Sequence, residues 1–136
     1  MKPQRPLSGS LSVIIPLFNE QDNVARLCAD LIEILQAVAR PFEILLINDG
    51  SRDRTEVVAR ELAEQDKRIK LISLLRNFGQ TAAVMAGIDH ASSDILILMD
   101  GDQQNDPRDI PLLLAKLDEG FDVVSGWRQQ RKDRAL

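Results

Sequence analysis

Asp94-Ile-Leu-Ile-Leu-Met-Asp100-Gly-Asp102-Gln103-Gln104-Asn105-Asp106-Pro107 is the stretch whose reading decides the fold. Its unbroken apolar run, residues 95–99, has the composition of a strand buried on both faces of a parallel sheet, and it stops at two aspartates one residue apart. Open α/β sheets bind ligands outside the carboxyl ends of their strands, so an acidic pair at that position reads as a site. Two carboxylates so close repel and raise each other's pKa unless a cation or hydrogen-bond donors hold them ionised. A divalent metal is the simplest such partner.

On either side of this run, short apolar segments alternate with helical periodicity, which is the pattern of βα units. Residues 12–16 form a predicted strand. Val24, Leu27, Cys28, Leu31, Ile32, Leu35 and Val38 then recur at helical spacing and predict a helix over about 22–39. Pro41 breaks the pattern, 42–48 reads as a second buried strand, and Asp49-Gly50-Ser51 turns the chain into a helix over roughly 53–65. The third unit has a strand over 69–75, the loop Arg76-Asn77-Phe78-Gly79, and an alanine-rich helix over 80–91. After the fourth strand, Asp106 is placed to cap a helix that begins at Pro107 and runs to Glu119, with Gly120 as its stop. A short fifth strand is expected over 123–125. Right-handed crossovers then give an α/β fold: an open, mostly parallel sheet with helices on both faces.

The 136 residues make one domain with a real core, taken here as residues 11–136 after a tail of residues 1–10. Hydrophobic residues at 44% and charged residues at 28% match a soluble globular protein and argue against a disordered or fibrous one. A net charge of -4 speaks against nucleic-acid binding, which needs broad basic surfaces. The single cysteine, Cys28, has no internal disulfide partner and lies on the apolar stripe of the first helix, so a core role and a cytoplasmic location are expected. No apolar run approaches the ~18 residues of a membrane-spanning helix.

Every predicted strand mouth is polar: Asn19-Glu20, Asn48-Asp49, Arg76-Asn77, Asp100-x-Asp102 and Gly126-Trp127-Arg128. In a parallel sheet these should converge along one rim. Asp-Gly pairs are also common turn formers, yet tight hairpins need a strand directly after the turn, and here helical pattern follows. Gln104 extends the acidic pair to Asp-x-Asp-x-Gln, a set of hard oxygen donors suited to Mg²⁺ or Mn²⁺ and, with the metal, to a diphosphate. There is no G-x-x-x-x-G-K-[ST] and no G-x-G-x-x-G after the first strand, so a bound nucleotide is held by side chains and metal. Asp49 can accept from a base or cap the following helix; Glu20 can accept from a ribose hydroxyl or serve as first-turn charge. His90 reads as a surface or cap residue, and Trp127 either stacks on a ligand or covers a sheet edge. Arg128 is a candidate anion clamp, and Arg131, Lys132 and Arg134 can touch phosphate or an anionic membrane surface.

Val13-Ile-Ile-Pro16-Leu-Phe18-Asn19-Glu20, Ile47-Asn-Asp49-Gly-Ser51-x-Asp53-x-Thr55, Arg76-Asn77-Phe-Gly79, Asp100-Gly-Asp102-Gln-Gln104 and Ser125-Gly-Trp-Arg128, in that order and spacing, resemble family 2 glycosyltransferases of the GT-A fold. Within that family the chain looks most like the polyprenyl-phosphate glycosyltransferases, the group containing dolichol-phosphate mannose synthase. The resemblance implies inverting transfer of a sugar from a UDP- or GDP-linked donor to a polyprenyl phosphate, in cell-wall or glycolipid biosynthesis at the cytoplasmic face of a membrane. It also implies residue roles. Pro16, Phe18, Glu20 and Asp49 would line the base and ribose pocket, with Arg76 and Gly79 nearby. Asp100, Asp102 and Gln104 would handle ribose, Mg²⁺ or Mn²⁺ and diphosphate, with Arg128 approaching the phosphates. Asp100, Asp102 and Arg128 are then the residues expected to act in catalysis. Members of this family continue past the strand-five arginine into an acceptor-binding half, so this chain is expected to hold the donor-binding part.

Three other readings fit part of the pattern. A haloacid dehalogenase-type phosphohydrolase also ends an apolar strand in Asp-x-Asp, but after its first strand and with Thr or Val where Gln104 stands. A receiver-like signalling domain needs acidic residues after strand one and a lysine after strand five. A module that holds a nucleotide sugar and metal without turnover uses the same rim.

Overall fold

The computed structural model describes residues 9–101 and 106–118. Its elements are β1 (Leu11–Leu17), α1 (Val24–Val38), β2 (Phe42–Asn48), α2 (Thr55–Gln65), β3 (Ile69–Ser73), α3 (Gln80–His90), β4 (Ile95–Leu98), a 3₁₀ turn (Pro107–Asp109) and α4 (Ile110–Asp118). The strands pair in the order β3-β2-β1-β4, all parallel. This is the order found on one side of the doubly wound dinucleotide-binding fold, and it differs from the receiver order, in which β1 neighbours β3. The predicted α/β class and parallel sheet are therefore correct. The expected fifth strand over 123–125 and the helix end at Glu119-Gly120 lie outside the described residues.

Alternation along the central strands divides the core. Leu11, Val13, Ile15 and Leu17 of β1, with Ile44 and Leu46 of β2, face α1, α2 and α4; Cys28, Leu31 and Leu35 of α1 and Ile110 and Leu114 of α4 close that layer. Ile14, Leu45 and Ile47 point the other way, onto Ala83 of α3. With both faces covered, β1 and β2 read as continuous apolar runs, as buried parallel strands must. Burial pushes the Cys28 thiol up to about 12, with Asp66 adding to the effect, so this cysteine is an inert core residue.

The other face carries a buried polar cluster near the start of the strands. Glu43 accepts from Ser12 Oγ at 2.6 Å, from the Ser92 backbone N–H at 2.8 Å and from Lys70 Nζ at 2.8 Å. Burial alone would raise this carboxyl, but Lys70, Ser12 and Ser92 hold it down at about 2.

β4 corrects the reading of residues 95–99 as a strand buried on both faces. Ile95 is buried against the core, whereas Leu96 and Leu98, which point to the α3 side, are 39% and 54% exposed. α3 packs over β1 and β2 and leaves the β4 flank of that face uncovered among the described residues. The helices also start later than their apolar periodicity suggests: α1 at Val24 rather than residue 22 and α2 at Thr55 rather than residue 53. Gln21 and Asp53 instead use their side chains to join the two preceding loops.

Pro16 shapes the crevice. Along β1, Leu17 O accepts from Asp49 N–H on the β2 side, while Ile14 O accepts from Met99 N–H on the β4 side. By alternation Pro16 also faces β4, where it has no N–H to offer. Pairing of β1 with β4 stops at Ile14↔Leu98, but pairing with β2 continues to Leu17↔Asn48. The strands part there, at the point where the strand order reverses.

Candidate functional site

A cavity of about 470 Å³ opens at this parting of β1 and β4. Pro16, Leu17, Phe18 and Glu20 line it from the end of β1, and Asp49 from the end of β2. Asn77, Gly79 and Gln80 line it from the entry to α3, and Asp100 and Gly101 from beyond β4. The four strand mouths within the described residues thus converge as expected. Of the nucleotide-site candidates, Pro16, Phe18, Glu20, Asp49, Gly79 and Asp100 come together; Arg76 does not. It stands on the same loop outside the lining, its guanidinium 4.9 Å from the centre of the Phe78 ring. Asp102, Gln104 and Arg128 lie outside the described residues.

The loops forming the rim are stitched to one another in order. The loops after β1 and β2 exchange side-chain bonds with backbone: Asn19 N–H donates to Ser51 Oγ, and Arg52 N–H donates to Asn19 Oδ1. Glu20 N–H donates to Thr55 Oγ1, and Arg54 N–H donates to Gln21 Oε1. Asn19 adopts φ 55, a left-handed conformation that asparagine tolerates because its short amide bonds locally. Glu20 Oε1 accepts from Asn23 Nδ2 at 2.9 Å, which holds its carboxylate at the mouth ahead of α1.

Asp49 joins the second loop to the third. Its carboxylate accepts from the backbone N–H of Phe78 at 2.8 Å and of Gly79 at 3.0 Å, and from Asn77 Nδ2 at 3.2 Å. It is 4% exposed and does not cap α2, whose first residue Thr55 instead gives its N–H to Asp53 Oδ1 just ahead of the helix. The approach is so close that a Cβ on Gly50, at φ +70, would sit 2.3 Å from Asn77 N. The third loop reaches β4 through Gln80, whose Nε2 donates to Asp100 Oδ1 at 2.9 Å. Sequence reasoning set Asn77 at a strand mouth without giving it a role, and missed Gln80. A polar amide directly after a helix-starting glycine was the available signal.

Three carboxylates, those of Glu20, Asp49 and Asp100, border the cavity, and no lysine or arginine lines it among the described residues. A bare anion is therefore repelled, whereas an anion carrying a divalent cation is accommodated. The donors on offer are carboxylate, amide and backbone oxygens with no imidazole or thiolate, which fits Mg²⁺ or Mn²⁺. The described residues contain no ready-made group of three metal-ligating side chains.

Comparison with known proteins agrees with this architecture. The undecaprenyl-phosphate 4-deoxy-4-formamido-L-arabinose transferase of Salmonella choleraesuis is 46% identical over 124 residues, covering 90% of this chain and 38% of that protein. The chain thus spans well under half the length of that relative. Among solved structures, the mannosyltransferase PcManGT from Pyrobaculum calidifontis, in complex with GDP-Man and Mn²⁺, superposes with a TM-score of 0.62 at 22% identity, over 69% of this chain and 28% of that one. Glucosyl-3-phosphoglycerate synthase from Mycobacterium tuberculosis, in complex with Mn²⁺, UDP and phosphoglyceric acid, gives 0.63 at 20% identity, over 86% of this chain and 44% of that one. The family profile for glycosyl transferase family 2 matches residues 12–135, and the chain belongs to that family.

Proposed function

We propose that this chain is the donor-binding part of an inverting glycosyltransferase, which takes a sugar from a nucleoside diphosphate and delivers it to a polyprenyl phosphate. The observation that carries the reading is the acidic cavity where β1 and β4 part, bordered by Glu20, Asp49 and Asp100 and lined by no basic side chain among the described residues. A diphosphate enters such a cavity with a divalent cation. Phe18, 42% exposed at the rim, offers a face to a base, and Glu20 offers an acceptor to a ribose hydroxyl. Asp100, with Asp102 and Gln104 from the same sequence motif, would hold Mg²⁺ or Mn²⁺, and Arg128 would meet the phosphates. The metal, when bound, neutralises charge on the departing nucleoside diphosphate.

The acceptor class rests on the Salmonella relative, whose name carries undecaprenyl phosphate. A phosphomonoester with a second pKa near ~6 is mostly ionised at neutral pH, so its oxygen needs no dedicated general base. We further propose that the reaction takes place at the cytoplasmic face of a membrane, a lipid phosphate being membrane-bound; no helix among the described residues is long and apolar enough to cross one. The test is calorimetric titration of the chain with UDP and GDP, each with and without Mn²⁺, followed by a transfer assay to a polyprenyl phosphate. Metal-dependent nucleotide binding that Asp102→Ala removes is the expected result. Binding without transfer supports a nucleotide-sugar-binding module, and absence of any metal-dependent binding refutes the site.

A further inference from the structure

We propose that Gln80 is the positioning residue for Asp100: from the first turn of α3 its neutral amide fixes the carboxylate that meets the metal. The inference rests on the nucleotide and metal reading of the cavity. The contact is direct, with Gln80 Nε2 donating to Asp100 Oδ1 at 2.9 Å, and both residues line the cavity.

The backbone carrying Gln80 is held from both sides. Before it, the N–H groups of Phe78 and Gly79 are bound by the buried Asp49 carboxylate. After it, α3 starts with Ala83 N–H on Gly79 O at 3.1 Å and lays Ala83 and Gly87 onto the sheet. Gln80 is thus an arm mounted on a fixed base, and its reach ends at Asp100. A hydrogen bond from outside the coordination sphere that orients a ligating group is the device by which metal sites gain affinity without adding a ligand.

The chemistry explains why an amide suits this place. A lysine or arginine here would orient Asp100 equally well, but its charge would oppose the incoming cation and reduce the carboxylate's value as a ligand. A glutamine donates one N–H and brings no positive charge of its own to compete with the metal.

The experiment is a double-mutant cycle on the 136-residue chain with Gln80→Met, which keeps length and removes the donor, and Asp100→Ala, alone and combined. Affinity for UDP and for GDP is measured by calorimetry with and without Mn²⁺, and the readout is the ratio of the two affinities. Melting temperature checks the fold of each variant. Gln80→Met should lower the Mn²⁺-dependent gain by about 10-fold, the low end for loss of such a supporting bond because Gln80 is exposed. In the Asp100→Ala background the same change should have no further effect on the ratio. A structural role would instead lower both arms together and leave the ratio unmoved. A ratio within twofold of wild type, or additive losses in the double variant, overturns the role of Gln80 while the site reading stands. A wild-type chain whose affinity for neither nucleotide responds to Mn²⁺ overturns the site reading and this inference with it.

Discussion

Asp49→Asn changes one atom and should release the loop that forms one wall of the cavity. In the native chain the Asp49 carboxylate takes two backbone N–H groups, Phe78 at 2.8 Å and Gly79 at 3.0 Å, in surroundings that leave Asp49 4% exposed. An asparagine oxygen satisfies one of these, and its amino group then faces the other donor. Hydrogen bonds to a charged group contribute about 1.5–3 kcal/mol each, a neutral one about 1 kcal/mol, and an orphaned buried donor costs about 1–3 kcal/mol. Held rigidly, the substitution would therefore cost upward of about 3 kcal/mol. The loop has a cheaper escape, because Asn77 and Phe78 are exposed and can carry their N–H groups into water. The expected loss is then about 2–3 kcal/mol, or roughly 8–12 °C in melting temperature for a domain of this size. Urea unfolding gives the magnitude, and amide hydrogen exchange gives the place. Protection should collapse at Phe78 and Gly79, while the N–H of residue 49 itself, bonded to Leu17 O at 2.8 Å, stays protected as an internal control. Unaltered protection at Phe78 and Gly79, with stability within about 0.5 kcal/mol of wild type, would refute the claim that this carboxylate anchors the loop.

Two further outcomes follow from neighbouring geometry. Gly50→Ala should cost more than about 3 kcal/mol in urea unfolding, since the added Cβ meets backbone atoms of Arg76 and Asn77 at 2.3–2.4 Å as well as a positive φ. Gly79→Ala, also at positive φ but with nothing within 4 Å of its Cβ, should cost only about 1–2 kcal/mol, and equal losses at the two sites would contradict this account. Glu43 is held down at about 2 in the folded chain against an ordinary value of 4.5, so its contribution is complete above about pH 4.5 and drains away as pH falls toward 2. Glu43→Gln should accordingly be less stable than wild type at pH 7, with the gap in urea midpoint closing on acidification through that window; a gap that stays constant would exclude this carboxylate as its source.

The sheet was legible where local chemistry and tertiary outcome coincide. Residues 42–48 were read with the bounds that β2 takes, because Pro41 stops the preceding helix and Asp49-Gly50 ends the apolar run. Composition failed at β4, whose leucines report that a residue is apolar but not which flank of the sheet α3 will cover. The helix starts failed for a related reason: residues 22 and 53 are compatible with a first turn, but residues 21–23 form a turn on Glu20 O, and only the neighbouring loop reveals that Asp53 accepts from Gln21 N–H across the β1 and β2 mouths. At the site, the strand-end rule and the family resemblance together named seven nucleotide candidates, and six of them line one cavity. Arg76, expected nearby, stands on the same loop outside the lining, because an arginine on an exposed loop can fold back onto a neighbour such as Phe78.

Residue types alone also overstate the charge a ligand meets. Glu20, Asp49 and Asp100 all border the cavity, yet Asp49 turns both of its oxygens to N–H groups of the third loop and is almost wholly buried. Its charge is answered within the fold, so it shapes a wall more than it attracts a cation. Glu20 and Asp100 are partly exposed, and each takes a side-chain amide, Glu20 from Asn23 and Asp100 from Gln80. The described rim therefore sorts its carboxylates by partner. The carboxylate bound by backbone N–H groups anchors one loop to the next, whereas those reached by side-chain amides stand at the mouth between β1 and β4.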